Sequence, residues 1–455
     1  MIRGAFKRLG KGASVWMALG MAGTGLGLAE PVANSAAAAA QAASDAFANG
    51  ALAHLSLAEA QRIALARNWD LLAAAAGVDA ATAQKIVARE FPNPTLSLSS
   101  SKWNVDSHPN STLAGNGVWD RGYDTIFAIN QLFEIGGKRR SRKASAQAGY
   151  EEANAQFFDA KRTLDLGVTQ AYTAAALAEE NVGVLTQSAA SLRQEAKIAE
   201  VRLRAGEISS SDQTQIEITA ERFEQEARTA EAAAAQARIA LEVLLGAPHP
   251  KADCRLTDRL ETLVASAPPA NTNTSGVWRP DVVAAEAALR KAEADARLQK
   301  ANRIPDPTVL AQYEHQPADA PNTLGVGVSF PLPLWNRNRG NILAAEAARE
   351  QTRLAYEKAK AQAAADIATA LLGYDAAVRR WGNYRDRIRL KSDQVRKTKA
   401  YAYEKGGASL LDMLVAERDD NDVRLAAMQA ASDAVVALAT LQAATREFQP
   451  AQVKK

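Results

Sequence analysis

The stretch FEIGGKRRSR, Phe133 to Arg142, sets Gly136 and Gly137 before Lys138, Arg139 and Arg140, with Arg142 close behind. Glycines followed by cations suggest a phosphate cradle, in which backbone N–H groups and a lysine hold the anion. The spacing argues otherwise. A GxxxxGK[ST] loop needs Ser or Thr directly after its lysine, and Arg139 stands there. Other reactive groups are scattered. His54, His108, His249 and His315 fall at a helix start, a loop, a linker and a strand end, with no HExxH pair and no nucleophile elbow. The acid pairs Glu179–Glu180 and Asp419–Asp420 read as solvated helix faces rather than catalytic carboxylates. A chain that selects a transition metal should offer sulfur or imidazole ligands. Cys254 is the single cysteine, and Met413 and Met428 are the only methionines beyond residue 21. Met413 reads as a helix-packing residue. Neither catalysis, nor a cofactor, nor a resident metal is expected.

The elements around these residues are more informative. In GYDTIFAINQLF, Gly122 to Phe133, the residues Tyr123, Thr125, Phe127, Ile129, Gln131 and Phe133 share one side. Asp124, Ala128 and Asn130 take the other, which is the period of a strand with one greasier face. Roughly 60 residues without a proline follow, rich in Ala, Glu, Gln, Leu and Arg, and read as one very long helix. The basic glycine stretch therefore sits at a strand-to-helix junction. Over all 455 residues, 54 basic and 51 acidic side chains nearly balance, so no polyanion partner such as nucleic acid is implied. Aromatics are only 6% while alanine is plentiful, which favours thin, closely packed helices.

Lys7, Arg8 and Lys11 precede a short apolar run, Ala13 to Ala29. This reads as an export signal over residues 1–29, an N-terminal anchor being the alternative. Residues 30–52 form a low-complexity lead-in. No cysteine lies near the cleavage point, so a lipid attached there is not expected. Beyond the signal no run of 18 apolar residues occurs, so a membrane crossing would have to use strands.

The chain repeats itself. Pro92, Pro94 and Thr95 recur as Pro305, Pro307 and Thr308, and RAGEISSSDQTQIE (204–217) recurs as EKGGASLLDMLVAE (404–417). Each half reads as helix, strand, loop, strand, very long helix, tight turn and long helix. The first repeat covers 53–246, with a helix over Ser56–Glu90, a β-hairpin at 94–133 and a helical hairpin at 142–245. The second covers 277–447, with a helix over Pro280–Asn302, a β-hairpin at 307–332 and a helical hairpin at 341–447. A connector, 247–276, joins them, and 448–455 is a tail. A helix from Arg142 to Ala205 would be roughly 96 Å long. Leu324, Val326, Val328 and Phe330 alternate with Gly325, Gly327 and Ser329, as in a membrane barrel, although a half-buried sheet alternates too. Four strands cannot enclose a pore, so the pattern points to a homotrimer sharing one barrel. A periplasmic coiled-coil adaptor or rod is the rival architecture.

With LFEIGGKRRSR, FPLPLWNRNRG and YEKGGASLLDMLVAERD, the chain resembles the TolC-like outer-membrane efflux proteins over nearly all of its mature length, and their heavy-metal, cobalt–zinc–cadmium branch most of all. The resemblance implies a mixed α/β membrane protein: a trimeric 12-stranded transmembrane β-barrel continuous with a long periplasmic α-helical barrel. It implies partners as well, namely a periplasmic adaptor, an inner-membrane proton-driven pump of the RND type and outer-membrane lipid. The function so implied is passive export of divalent heavy-metal cations, with drug or solvent efflux as the alternative. Gly136, Gly137, Lys138, Arg139, Arg140, Pro331, Pro333, Arg337, Arg339 and Gly340 would form the barrel–tunnel junction. There the cations would stay solvated or meet headgroup phosphates and carboxylates. Gly206, Ser209, Gly406, Gly407 and Ser409 would shape the periplasmic tips that meet the adaptor, and Asp212 and Asp412 are candidate lumen-gate carboxylates.

Overall fold

A computed structural model of the protein describes residues 54–101, 124–266, 276–316 and 321–448. The expected signal and lead-in, residues 102–123 of the first β-hairpin, 267–275 of the connector, His108 and the tail past 448 lie outside the described residues.

The opening helical stretch is two helices, α1 (Leu57–Arg67) and α2 (Trp69–Val87). Asn68 parts them with an extended ψ of 128°. Its Oδ1 accepts from the N–H groups of Asp70 and Leu71, at 3.0 and 3.1 Å, and its amide donates to the Leu244 carbonyl at 3.0 Å. One side chain therefore stops one helix, caps the next and fastens both to the end of a distant one. The order continues through β1 (Thr95–Ser101), β2 (Asp124–Leu132), α3 (Lys138–Arg204), α4 (Ser210–Leu244), α5 (Leu260–Ser266), α6 (Pro280–Ala301), β3 (Thr308–His315) and β4 (Thr323–Ser329). Then come α7 (Arg339–Asn383), a π-helical turn (Tyr384–Ile388), α8 (Arg389–Glu404) and α9 (Leu410–Thr445).

The 67 residues of α3 span roughly 100 Å at 1.5 Å per residue. Its C-terminal half pairs with α4, and it also touches α2, α6 and α9. Alanine makes this close approach possible. Ala148, Ala155, Ala175, Ala176, Ala189, Ala196 and Ala199 are the buried small positions of α3. In α9 the same part is played by Ala427, Ala430, Ala431 and Ala434. Among the described residues, α9 is the one helix long and apolar enough to cross a membrane, yet it packs along α3 and α7 inside the bundle.

The middle of the bundle is tied by two buried polar groups. Tyr172, fully buried, donates to the Leu55 carbonyl at 2.9 Å and lies 3.2 Å from Asp258 Oδ2; burial pushes its phenol pKa upward. Glu242, 2% exposed, accepts from the N–H groups of Lys251, Ala252 and Cys254 at 2.7–3.0 Å. Its carboxylate thereby folds the connector back onto α4. Burial first, then Glu242, pushes the Cys254 thiol up to about 12.

The strands correct the expected architecture. Among the described residues β1 pairs with β2 and β3 with β4, one hairpin in each half, but the hairpins join edge to edge and do not form a twelve-stranded trimeric barrel. The chain carries one antiparallel, open, four-stranded sheet in the order β1-β2-β3-β4, attached to a mostly helical bundle, not to a helical barrel. The strands are 7 to 9 residues long, and β1 and β4 each have one neighbour. A closed sheet requires every strand to be paired on both sides. The two repeats meet inside the sheet, since β2 pairs with β3 from Thr125↔His315 to Leu132↔Thr308. The register lines up cross-strand rows on one face: Leu96–Ile129–Ala311–Val326 and Leu98–Phe127–Tyr313–Leu324. The opposite face carries Ser97–Ala128–Gln312–Gly325. The apolar row is open to its surroundings: Leu96, Leu98, Leu324 and Val326 are each 65% or more exposed.

Candidate functional site

Every passage between sheet and helix lies at one level, forming a collar. The Phe133 N–H donates to the Pro307 carbonyl and the Ile135 N–H to Asp306 Oδ1, both at 2.9 Å. Asn338, in the left-handed region at φ 58°, precedes α7 and donates from its amide to the Gln299 carbonyl at 2.8 Å. Gly136 and Gly137 hold φ of 72° and 78°, and a Cβ at Gly136 would meet Ile304 at 3.0 Å. A side chain there would be strained twice, by the backbone and by the neighbour.

Helix α3 begins at Lys138, so the basic run is its first turn rather than a loop ahead of it. Six described helices carry an acid in the first turn, at Glu59, Asp70, Asp212, Glu261, Asp281 and Asp412. The two long helices leaving the sheet, α3 and α7, carry none. Cations there oppose the helix dipole, and the structure answers each differently. Lys138 is buried, with Nζ 2.7 Å from Asp306. Arg139 donates to the Arg89 carbonyl and lies 3.7 Å over the Phe91 ring. Arg142 grips both oxygens of Glu134 and reaches the Glu90 carbonyl. Arg140, Arg337 and Arg339 are exposed, as are Pro331, Pro333 and Gly340.

The two helical turns lie side by side at one end. At the first, Gly206 takes φ 76°, its N–H donates to the Leu203 carbonyl and the Glu207 N–H reaches the Arg202 carbonyl. At the second, Gly406 takes φ 75°, and the Gly407 N–H donates to the Ala402 carbonyl at 2.7 Å. These left-handed caps absorb the last helical carbonyls. Ser209 and Ser409 then cap the returning helices by accepting from the N–H groups of Asp212 and Asp412, each at 3.1 Å. Only the second cap is reciprocal, with the Ser409 N–H donating to Asp412 Oδ2 at 3.3 Å. Those bonds from Ser409, hydroxyl first, and the charge of Lys399 lower the Asp412 carboxyl pKa. Arg202 joins the tips, reaching the Glu404 carbonyl and facing the Tyr403 ring. A shared apolar cluster beneath includes Leu192, Ile216, Phe223, Met413 and Leu414.

A charged network behind the second tip escaped the sequence reading. Asp420 is not on a solvated face; its side chain is 2% exposed, 2.8 Å from Arg424 Nε and 3.1 Å from Arg396 Nε. Asp393 pairs with Arg396 as well, at 2.9 Å. Burial raises the Glu417 carboxyl pKa against the pull of Arg396, and burial raises that of Glu195 too. The i,i+4 spacing of Asp420 and Arg424 was the available signal. The other acid pair is also engaged: Glu179 faces Arg238 at 3.5 Å, and Glu180 accepts from the Leu260 N–H at 2.9 Å. Among the described residues, no group of three or more His, Cys, Asp or Glu side chains is arranged to hold a metal ion.

The outer membrane efflux protein family matches residues 62–247 and 277–445, both repeats and nothing of the connector between 247 and 277. The chain belongs to that family. Among individual outer membrane efflux relatives, it is 28% identical over 299 residues to the cobalt-zinc-cadmium resistance protein CzcC of Cupriavidus metallidurans, covering 66% of this chain and 68% of that one. It is 25% identical over 298 residues to the nickel-cobalt-cadmium resistance protein NccC of Alcaligenes xylosoxydans xylosoxydans, covering 65% of each. Its fold is similar to that of a membrane protein from Pseudomonas aeruginosa, with TM-score 0.73, 22% identity and coverage of 86% of this chain and 92% of the other.

Proposed function

We propose that this chain is the outer-membrane channel of a tripartite efflux system and that its cargo is divalent heavy-metal cations such as cobalt, zinc, cadmium or nickel. The observation that carries the cargo is the pair of relatives named for resistance to those cations. The exposed apolar rows of the sheet support its placement in the membrane, with the helical hairpins reaching into the periplasm. The two tips at the far end, around Gly206, Ser209, Gly406, Gly407 and Ser409, are the proposed contact for a periplasmic adaptor. The adaptor would link this chain to a proton-driven inner-membrane pump. Cation selection is assigned to the pump, because the sequence offers one cysteine and four scattered histidines as ligands.

A deletion strain tests the cargo. Tolerance to cobalt, zinc, cadmium and nickel should fall and return when the full chain is supplied. Unchanged metal tolerance together with lost tolerance to drugs or solvents would overturn the reading in favour of a drug conduit.

A further inference from the structure

We propose that the collar is a binding surface for anionic phospholipid headgroups, and that its phosphate-engaging cations are Arg140, Arg303, Arg337 and Arg339. This rests on the membrane placement above and adds a lipid preference to it. The cations of the collar divide into two sets. Lys138 and Arg142 are consumed internally by Asp306 and Glu134, and Arg139 by a backbone carbonyl and the Phe91 ring. Arg140, Arg303, Arg337 and Arg339 are exposed and have no acidic partner among the described residues. The contacts that fasten Phe133 to Pro307, Ile135 to Asp306 and Asn338 to Gln299 bring the segments bearing these four arginines to one level.

The apolar surroundings choose the partner. Directly after the exposed sheet come Leu332, Leu334 and Trp335, 65%, 60% and 93% exposed. A band of open apolar side chains passing without a break into unpaired guanidinium groups matches the profile of a leaflet, from acyl chain to phosphate. An acidic protein would complement the arginines but not the continuous apolar band above them. An indole at this boundary, with basic side chains just beyond it, suits the headgroup region. Guanidinium groups can also hold phosphate oxygens in pairs.

The test uses the full chain in bilayers of phosphatidylcholine and phosphatidylglycerol in equal shares, with bromine on the upper acyl chain of one lipid or the other. Trp335 emission is isolated as the difference between the protein and its Trp335→Phe variant. Brominated phosphatidylglycerol should quench it more strongly, with a preference on the order of fivefold per engaged cation at low salt. Changing all four arginines to Gln should bring the two lipids to equal quenching, whereas changing all four to Lys should keep a preference. Strong but equal quenching of the unaltered protein by both lipids would overturn the headgroup proposal and leave the membrane placement standing. Absence of quenching by either lipid would overturn both.

Discussion

Asp420→Asn tests whether the buried charge network holds the second hairpin together. The substitution keeps the shape of the side chain and removes its charge. Arg396 and Arg424, with side chains 23% and 25% exposed, would then face each other without the carboxylate between them. Breaking a fully buried pair costs about 3–5 kcal/mol. Water reaches both arginines here, and Asp393 stays 2.9 and 3.6 Å from them, so a loss of about 2–3 kcal/mol is expected. Amide hydrogen exchange along α8 and the first turns of α9 reads this directly, because the hairpin end can open without global unfolding. Exchange there should accelerate roughly thirtyfold to 150-fold, with α1 and α2 unchanged. Asp419→Asn, one residue away and exposed, is the control. The reasoning fails if Asp420→Asn speeds exchange no more than Asp419→Asn does.

Further outcomes follow from other contacts. Glu417 and Glu195 have pKa values raised by burial, so their stabilisation is complete below the ordinary glutamate pKa and is lost as pH rises through the raised values. Tip protection, corrected for intrinsic exchange, should therefore decline as pH rises from the ordinary glutamate pKa towards neutral, and Glu417→Gln should flatten that decline. Ser409→Ala should fray its helix start more than Ser209→Ala does, because only the Ser409 cap is reciprocal; exchange at Asp412 and Asp212 measures both. Asp306→Ala should destabilise the collar more than Lys138→Met, since Asp306 serves both the Lys138 ammonium and the Ile135 N–H. A loss of about 2–3 kcal/mol against about 1 is expected in urea titrations of the detergent-solubilised protein. As candidate lumen-gate carboxylates, Asp212 and Asp412 are tested together: Asp212→Asn with Asp412→Asn should change cation preference in bilayer conductance, and an unaltered preference removes those carboxylates from any gate.

The long helices were legible because proline is absent and the best helix formers dominate over many turns, so local propensity and tertiary packing agree. The expected start at Arg142 fell one turn late. The basic run lies at the strand-to-helix junction, and cations there oppose the dipole of a helix that starts among them. In the structure, Asp306, Arg89 and Glu134 supply partners from segments remote in sequence, and the first turn forms regardless. The break at Asn68 was missed for the complementary reason. Asn inside a helical pattern is only mildly unfavourable, and what decides the break is its bond to Leu244, which no local window contains. Strand alternation was legible as well, but alternation specifies which side chains share a face, not how many strands close a sheet. The β2–β3 pairing across the repeats is a long-range choice, and it merges the expected hairpins into one open sheet.

At the candidate site the same division separates turn chemistry from charge. Gly206, Ser209, Gly406 and Ser409 announce themselves because caps and left-handed turns are local devices with fixed spacing. Asp420 does not, because Asp419 beside it is identical in type and differs only in direction. A rotation of about 100° per residue sends one carboxylate to water and the other towards Arg396 on the neighbouring helix. The collar shows the converse. Lys138 and Arg140 are two residues apart in one basic run, so composition treats them alike. Asp306 lies on one side of α3 only, and it takes Lys138 while Arg140 is left in the open. A sequence can therefore count the cations of such a run, but their division between fold and ligand is set by where the other half of the chain places its acids.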